Sequence, residues 1–212
     1  MEKLGFIGVG IMGMPMAKNL LDEGYEMIAY DINDEALSEI VDYGAEEGSS
    51  PQEIAENSDV ILTMLPNSPH VKEVVLGEDG VIEGVEAGQV VIDMSSIAPL
   101  VSQEVAEELE KEGVEMLDAP VSGGQEGAEA GTVAFMVGGK EEVFADYKQL
   151  LEVNGSSVTL VGDIGAGETT KLANQVMVAV NIAGVAEALS LGKKAGVDPE
   201  NIFNAVRDGL AG

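Results

Sequence analysis

The 212 residues contain no cysteine, one histidine and only ten basic side chains, of which Arg207 is the sole arginine. Lack of cysteine excludes disulfides and thiolate chemistry and is compatible with a reducing cytoplasm. A single arginine leaves little with which to grip a sugar phosphate by bidentate contacts, which disfavours 6-phosphogluconate-type chemistry. His70, in Pro66-Asn67-Ser68-Pro69-His70, reads as a loop or helix-start residue rather than a catalyst, and no His, Cys, Asp or Glu spacing resembles a metal site. Against the ten bases stand 39 acids, a net charge of −29. Such a surface repels nucleic acid and anionic membranes, so neither is expected as a partner. It fits either a salt-rich cytoplasm that screens the repulsion or a merely acidic, solvated surface. Long apolar runs are missing too: the longest, residues 176–186, is interrupted by Asn181 and is too short to span a bilayer. Met1-Glu2-Lys3 leads directly into the first apolar run and leaves no room for a signal peptide, so the expected location is cytoplasmic.

What is present is ample apolar content, 45% of the chain, and length enough for one full domain and part of another. The sharpest motif is Gly8-Val9-Gly10-Ile11-Met12-Gly13. A short apolar strand, Leu4-Gly5-Phe6-Ile7, precedes it, and residues 11–21 carry helical periodicity. A second apolar run, Met27-Ile28-Ala29-Tyr30, ends on Asp31, 18 residues past Gly13. This is the layout of a dinucleotide-binding βαβ unit. Gly8 allows the tight turn, Gly10 lets the backbone approach a pyrophosphate, and Gly13 lets the helix sit close to the strand. The phosphates then rest on N–H groups at the positive end of the helix. Asp31 reads as the acceptor for ribose hydroxyls or, alternatively, as a turn acid before Asn33-Asp34. Ile32 stands where Arg or Lys would hold a 2′-phosphate, so the reading is NAD, with NADP as the other possibility.

Strand-like and helix-like segments alternate through the first three quarters of the chain. Strands are predicted at 60–64, 90–93, 114–117, 133–137 and 157–161, and helices at 34–41, 51–57, 69–76, 99–112 and 140–151. Alternation of this kind argues an α/β fold with a largely parallel sheet covered on both faces. The pattern breaks at Gly162-Asp163-Ile164-Gly165-Ala166-Gly167. Beyond it, residues 168–195 read as one helix of about 40 Å, closed by Gly196. Asp198-Pro199-Glu200 then starts another helix, with Asp198 as N-cap and Pro199 at N1. The predicted domains are therefore 1–163, a Rossmann-type dinucleotide-binding domain, and 164–212, the start of an all-helical domain.

Two further groupings carry chemistry. Asp118-Ala119-Pro120-Val121-Ser122-Gly123-Gly124 follows a predicted strand, where ligands collect in open α/β sheets. Its hydroxyl and unobstructed N–H groups suit a small carboxylate; a flexible loop is the alternative. Ser122 has no histidine base nearby in sequence, which argues against a nucleophile. In Glu168-Thr169-Thr170-Lys171-Leu172-Ala173-Asn174-Gln175, Lys171 and Asn174 are three apart and share a helix face. A lysine in the first helical turn meets the positive dipole end, and with partial burial its pKa would fall toward values useful for proton transfer. An ordinary surface lysine is the alternative. The Met12, Met14, Met16 run reads as packing beneath the glycine turn.

Taken together, these segments resemble the β-hydroxyacid dehydrogenase family, and within it the tartronate semialdehyde reductase branch more than the 3-hydroxyisobutyrate dehydrogenase branch. The resemblance rests on the stretch from Gly5 to Gly13, Met64-Leu65-Pro66-Asn67, Asp93-Met94-Ser95-Ser96-Ile97-Ala98-Pro99, the Asp118 to Gly124 motif and the Gly167 to Gln175 motif, in order along essentially the whole chain. It implies NAD(P)H-dependent reduction of a short semialdehyde, tartronate semialdehyde to D-glycerate, or oxidation of 3-hydroxyisobutyrate or another short β-hydroxyacid. By the same resemblance Gly8, Gly10 and Gly13, with Ile11 and Met12 between them, hold the pyrophosphate and Asp31 the ribose. Leu65 and Pro66 line the adenosine side, and Ser96 approaches the nicotinamide. Ser122, Gly123 and Gly124 grip the substrate carboxylate, Lys171 is the proton donor, and Asn174 orients the substrate. Family members continue past the position of Gly212 to complete a helical bundle. The chain is therefore expected to be truncated relative to them, to associate as a homo-oligomer through residues 168–195, and, as a reading of another class, to be a non-catalytic nucleotide-binding fragment.

Overall fold

The computed structural model describes residues 2–209, so residues 210–212 of the second predicted domain lie outside the described residues. Two compact units divide the chain, one running to Lys171 and one from Leu172. The first opens with β1 (Leu4–Ile7), α1 (Gly13–Asp22), β2 (Met27–Tyr30), α2 (Asp34–Tyr43), β3 (Glu46–Glu47), α3 (Pro51–Glu56), β4 (Val60–Thr63), α4 (Ser68–Leu76) and α5 (Val81–Gly84). It continues through β5 (Val90–Asp93), α6 (Pro99–Lys111), β6 (Glu115–Asp118), β7 (Val121–Ser122), α7 (Gly124–Glu129), β8 (Val133–Gly138), α8 (Glu141–Glu152) and β9 (Gly155–Gly162).

The strands form one sheet in the order β3-β2-β1-β4-β5-β6-β8-β7, with β9 added beside β8. From β3 to β6 every pairing is parallel. β8 then runs antiparallel to β6 and β7 and parallel to β9. The largely parallel α/β sheet inferred from alternation is present, and its far end is mixed because β8 returns from the short α7 rather than from a full crossover.

Period-two alternation distributes the strands' apolar residues over two cores. Leu4, Phe6, Met27, Ala29, Val60, Leu62, Val90, Ile92 and Leu117 face one cluster. Ile7, Ile28, Ile61, Val91 and Met116 face the other. A sheet buried on both faces needs near-continuous apolar strands, which is what these segments supply. Met16 is buried in the first core and Met12 and Met14 pack against it, as expected for the methionines beneath the glycine turn. Helix starts follow local chemistry: Asn33 Oδ1 accepts the N–H groups of Glu35 and Ala36, and Ser50 Oγ accepts that of Glu53 at 3.1 Å.

The Ser122-Gly123-Gly124 segment falls on the end of a two-residue strand and the start of a helix rather than on a loop. Val121 and Ser122 pair with Phe135 and Ala134, Gly123 takes φ +147 and Gly124 φ +62, and α7 starts at once. Asn19 Nδ2 anchors that helix by donating to Ala128 O at 2.9 Å.

The second unit is helical. It holds the greater part of α9 (Ala166–Lys194), then a turn at Gly196 with φ +86 and α10 (Pro199–Val206). Asp198 caps α10 by accepting the N–H of Glu200 at 2.9 Å. Inside this unit the two helices approach so closely that a Cβ at Gly192 would strike Ile202. Leu172, Val176, Met177, Val180, Ile182, Val185 and Phe203 are exposed. α9 has 29 residues, and its most apolar window has a mean hydropathy of 1.4. It thus meets by length and composition the test for a membrane-crossing helix, which the interrupted 176–186 run did not suggest. Valine, isoleucine and alanine on either side of Asn181 raise the average, and a long helix of a water-soluble protein can reach the same value.

Candidate active site

The sheet order reverses between β1 and β4, and at such a switch point the carboxyl ends of the strands leave a crevice. The crevice here is a cavity of about 340 Å³ lined by Gly8, Gly10, Asp31, Leu65 and Pro66, with Tyr30, Asn33, His70 and Val74 among its other walls. Five residues assigned to the cofactor from the sequence are therefore gathered in one place. Ile11, Met12, Gly13 and Ser96 are not part of that lining. Ser96 is exposed beyond the end of β5, while its buried neighbour Ser95 accepts the N–H of Leu65 at 2.8 Å.

The glycines differ in what they allow. Gly8 has φ +97, and a Cβ there would meet the carbonyl of Met64; one at Gly13 would strike the carbonyl of Gly8. A Cβ on Gly10 would stand in open space. Gly8 and Gly13 are thus required by the turn itself, whereas Gly10 keeps its surroundings clear. α1 starts without a side-chain cap and without an acid in its first turn, so no group of its own first turn competes with an anion at its positive end. Asp31 serves the turn as well as the cavity: Oδ2 accepts the N–H of Val9 at 2.8 Å and Oδ1 that of Asn33 at 2.8 Å. Ile32 beside it is 85% exposed.

His70 was read from the sequence as a helix-start residue, and it does sit in the first turn of α4, with its Nδ1 2.7 Å from Asn67 Oδ1. It is also a wall of the cavity, which the sequence reading missed. Its position three residues after Asn67, behind the Met64-Leu65-Pro66 motif, was the available signal.

A second cluster lies at the ends of β5 and β6, where α9 begins. Asp118 Oδ1 accepts the N–H of Gly165 and Oδ2 that of Glu168, both at 2.8 Å. A strand residue thereby caps a helix 47 positions away, and the Asp118 to Gly124 segment and the helix bearing Lys171 are tied at one carboxylate. The approach is tight, since a Cβ on Gly138 or Gly167 would run into Asp118. Asp93 Oδ1 accepts Thr63 Oγ1 at 2.7 Å and the N–H of Ser95 at 3.1 Å. Burial pushes the Asp118 carboxyl up to about 6 and that of Glu168 up to about 8, and it raises Asp93 as well.

Lys171 is half-buried, and burial lowers its pKa while the charge of Glu168 opposes that change. The expected direction is met, through the burial that was expected to act beside the helix dipole. α9 starts at Ala166, two residues earlier than expected, so Lys171 stands in the second turn, further from the positive end of the helix. Asn174 lies one turn further on, in the second unit, and its Nδ2 donates to Gln175 Oε1 at 3.3 Å. Among the described residues no group of His, Cys, Asp and Glu could hold a metal ion.

Residues 3–162 match the family described as the NAD binding domain of 6-phosphogluconate dehydrogenase. Residues 165–212 match that described as NAD-binding of NADP-dependent 3-hydroxyisobutyrate dehydrogenase. The chain is 46% identical over 197 residues to mouse mitochondrial 3-hydroxyisobutyrate dehydrogenase, covering 93% of this chain and 59% of that protein. It is 44% identical over 209 residues to 2-hydroxy-3-oxopropionate reductase of Escherichia coli K12, covering 99% and 71%. The solved structure of Mycobacterium tuberculosis 3-hydroxyisobutyrate dehydrogenase with L-serine superimposes with a TM-score of 0.92 at 32% identity, over 100% of this chain and 72% of that one. The chain thus spans about 59% of the length of the mouse relative.

Proposed function

The chain belongs to the β-hydroxyacid dehydrogenase family, and from that premise we propose that it is an NAD-dependent oxidoreductase that reduces tartronate semialdehyde to D-glycerate. The observation that carries the proposal is the presence, in one compact unit, of a dinucleotide-type cavity and a half-buried lysine of lowered proton affinity.

The residues present suit the cofactor, because Gly10 leaves open space beside an uncapped helix start with no acid in its first turn. Gly8, Gly10, Ile11, Met12 and Gly13 would hold the pyrophosphate, Asp31 the ribose hydroxyls, Leu65 and Pro66 the adenosine side, and Ser96 the nicotinamide end. The exposed, uncharged Ile32 offers nothing to a 2′-phosphate, which supports NAD over NADP. Bound NADH supplies the hydride. Ser122, Gly123 and Gly124 grip the substrate carboxylate, and the Lys171 ammonium donates its proton to the aldehyde oxygen as negative charge develops there. Asn174, in the second unit, is assigned the orienting contact on the family resemblance alone. The exposed apolar side chains of α9 support association of copies through residues 168–195.

The test is NADH oxidation with tartronate semialdehyde, run beside NADPH and beside 3-hydroxyisobutyrate with NAD. The mouse relative's name makes 3-hydroxyisobutyrate the second substrate to try. Lys171→Ala is expected to lower kcat by about 10²-fold or more. Near-parental activity in that variant would remove the lysine from its role. Binding of NADH without turnover in the parent would favour a nucleotide-binding function instead.

A further inference from the structure

Glu168 lies one helical turn before Lys171, and residues three apart on a helix share a face. The residue is 1% exposed. The hydrogen bond from its N–H to Asp118 fixes where that side chain leaves the helix. The nearby backbone of Ile97 favours the ionised carboxyl, and Oε1 has no hydrogen-bond partner among the described residues. The charged groups facing this carboxyl are Asp93 from the end of β5, Asp118 from the end of β6 and Lys171 on α9. Asp93 Oδ2 also lacks a hydrogen-bond partner among the described residues. A buried carboxyl with an unpartnered oxygen and two acidic neighbours is stable only if it keeps its proton longer than a surface acid would.

We propose that Glu168 is a positioning residue for the proton of Lys171: while neutral it leaves the lysine a ready donor, and on ionising it makes Lys171 hold its proton more tightly. Glu168 touches neither substrate nor cofactor in this role; its charge acts through Lys171. Burial that pushes Glu168 up to about 8 places the change near neutral pH, and the charge of Glu168 raises Lys171 against the lowering from its own burial. The inference rests on the reading of Lys171 as proton donor in the proposed reduction.

Competitive acetylation of the whole chain across about pH 6 to about pH 10, with mass-spectrometric readout of the Lys171 peptide, reports that lysine's proton without turnover. Its failure is therefore distinguishable from failure of the dehydrogenase reading. In the parent, the Lys171 profile is expected to be broader than a one-proton curve, because its neighbour ionises within the same range. Glu168→Gln keeps the size and shape of the side chain but cannot ionise. Its Lys171 should label about tenfold faster than the parent's near pH 9 and follow a single step. Lys193 and Lys194, read in the same digests, serve as the reference and should label alike in both proteins. A Glu168→Gln profile that overlays the parent's would overturn the proposal, and so would a parent profile of ordinary one-proton breadth. The second criterion needs no variant and holds even if Glu168→Gln fails to fold.

Discussion

At the scale of single residues, Gly10 and Gly13 separate two demands that one motif combines. A Cβ at Gly13 would drive into the carbonyl of Gly8, whereas at Gly10 it would meet nothing within 4 Å. Gly13→Ala therefore strains the packing of α1 on β1 and is expected to destabilise the fold by about 2 kcal/mol, the range for overpacked interiors. Gly10→Ala should leave stability within about 0.5 kcal/mol, as for an exposed site without a packing role. The same variant should weaken NADH binding by about tenfold or more, because its methyl group would occupy the space kept for the pyrophosphate. Urea unfolding and fluorescence titration with NADH, run on both variants, check this. Loss of stability in Gly10→Ala, or unchanged NADH affinity, would show that Gly10 serves the turn and not the ligand.

At the scale of elements, the start of α9 depends on a carboxyl from the end of β6. Asp118 has an ordinary pKa of 3.8, raised by burial to about 6 in the folded chain. Between those values the folded state keeps a proton that the unfolded state has released, so stability present below about pH 4 is lost as pH rises through about 6. For Asp118 alone the change is about 3 kcal/mol. Glu168, raised to about 8, continues the decline to higher pH. Asp118→Asn removes the first titration, and its urea midpoint should vary less between pH 4 and pH 6 than the parent's; equal slopes would show that other acids carry the dependence. The same helix start marks where sequence reading stops. β1, β2 and β5 were legible to the residue, because buried parallel strands are short apolar runs bounded by turn residues. β7 and α7 were not. Two strand residues and a helix containing Gly124 and Gly127 carry little propensity of their own, and pairing with β8 and the Asn19 anchor supply what the local sequence lacks. The glycine turn and Asp31 were legible because their spacing is local. The cap from Asp118 to Gly165 spans 47 positions, and no short-range pattern encodes it.

At the scale of the whole molecule, the net charge of −29 sets two opposed responses to salt. Lys3, Lys18, Lys72, Lys111, Lys140 and Lys148 each meet a carboxylate in partly or fully exposed ion pairs. Such pairs contribute about 0 to 1 kcal/mol each and weaken as salt is added. Against them stands the mutual repulsion of 39 acids offset by only ten bases, which the compact state concentrates and salt relieves. The excess of unpaired acids makes relief the larger effect. Raising KCl from about 0.1 M to about 1 M shortens the Debye length from about 10 Å to about 3 Å, below the spacing of most surface charges. The urea midpoint should therefore rise across that range, and most steeply at pH 8, where the acids carry their fullest charge. At pH 5 partial protonation weakens the repulsion, so the gain should shrink. A midpoint that stays flat or falls with KCl at pH 8 would mean that the ion pairs outweigh the repulsion and that the acidity is a solvated surface with no bearing on stability.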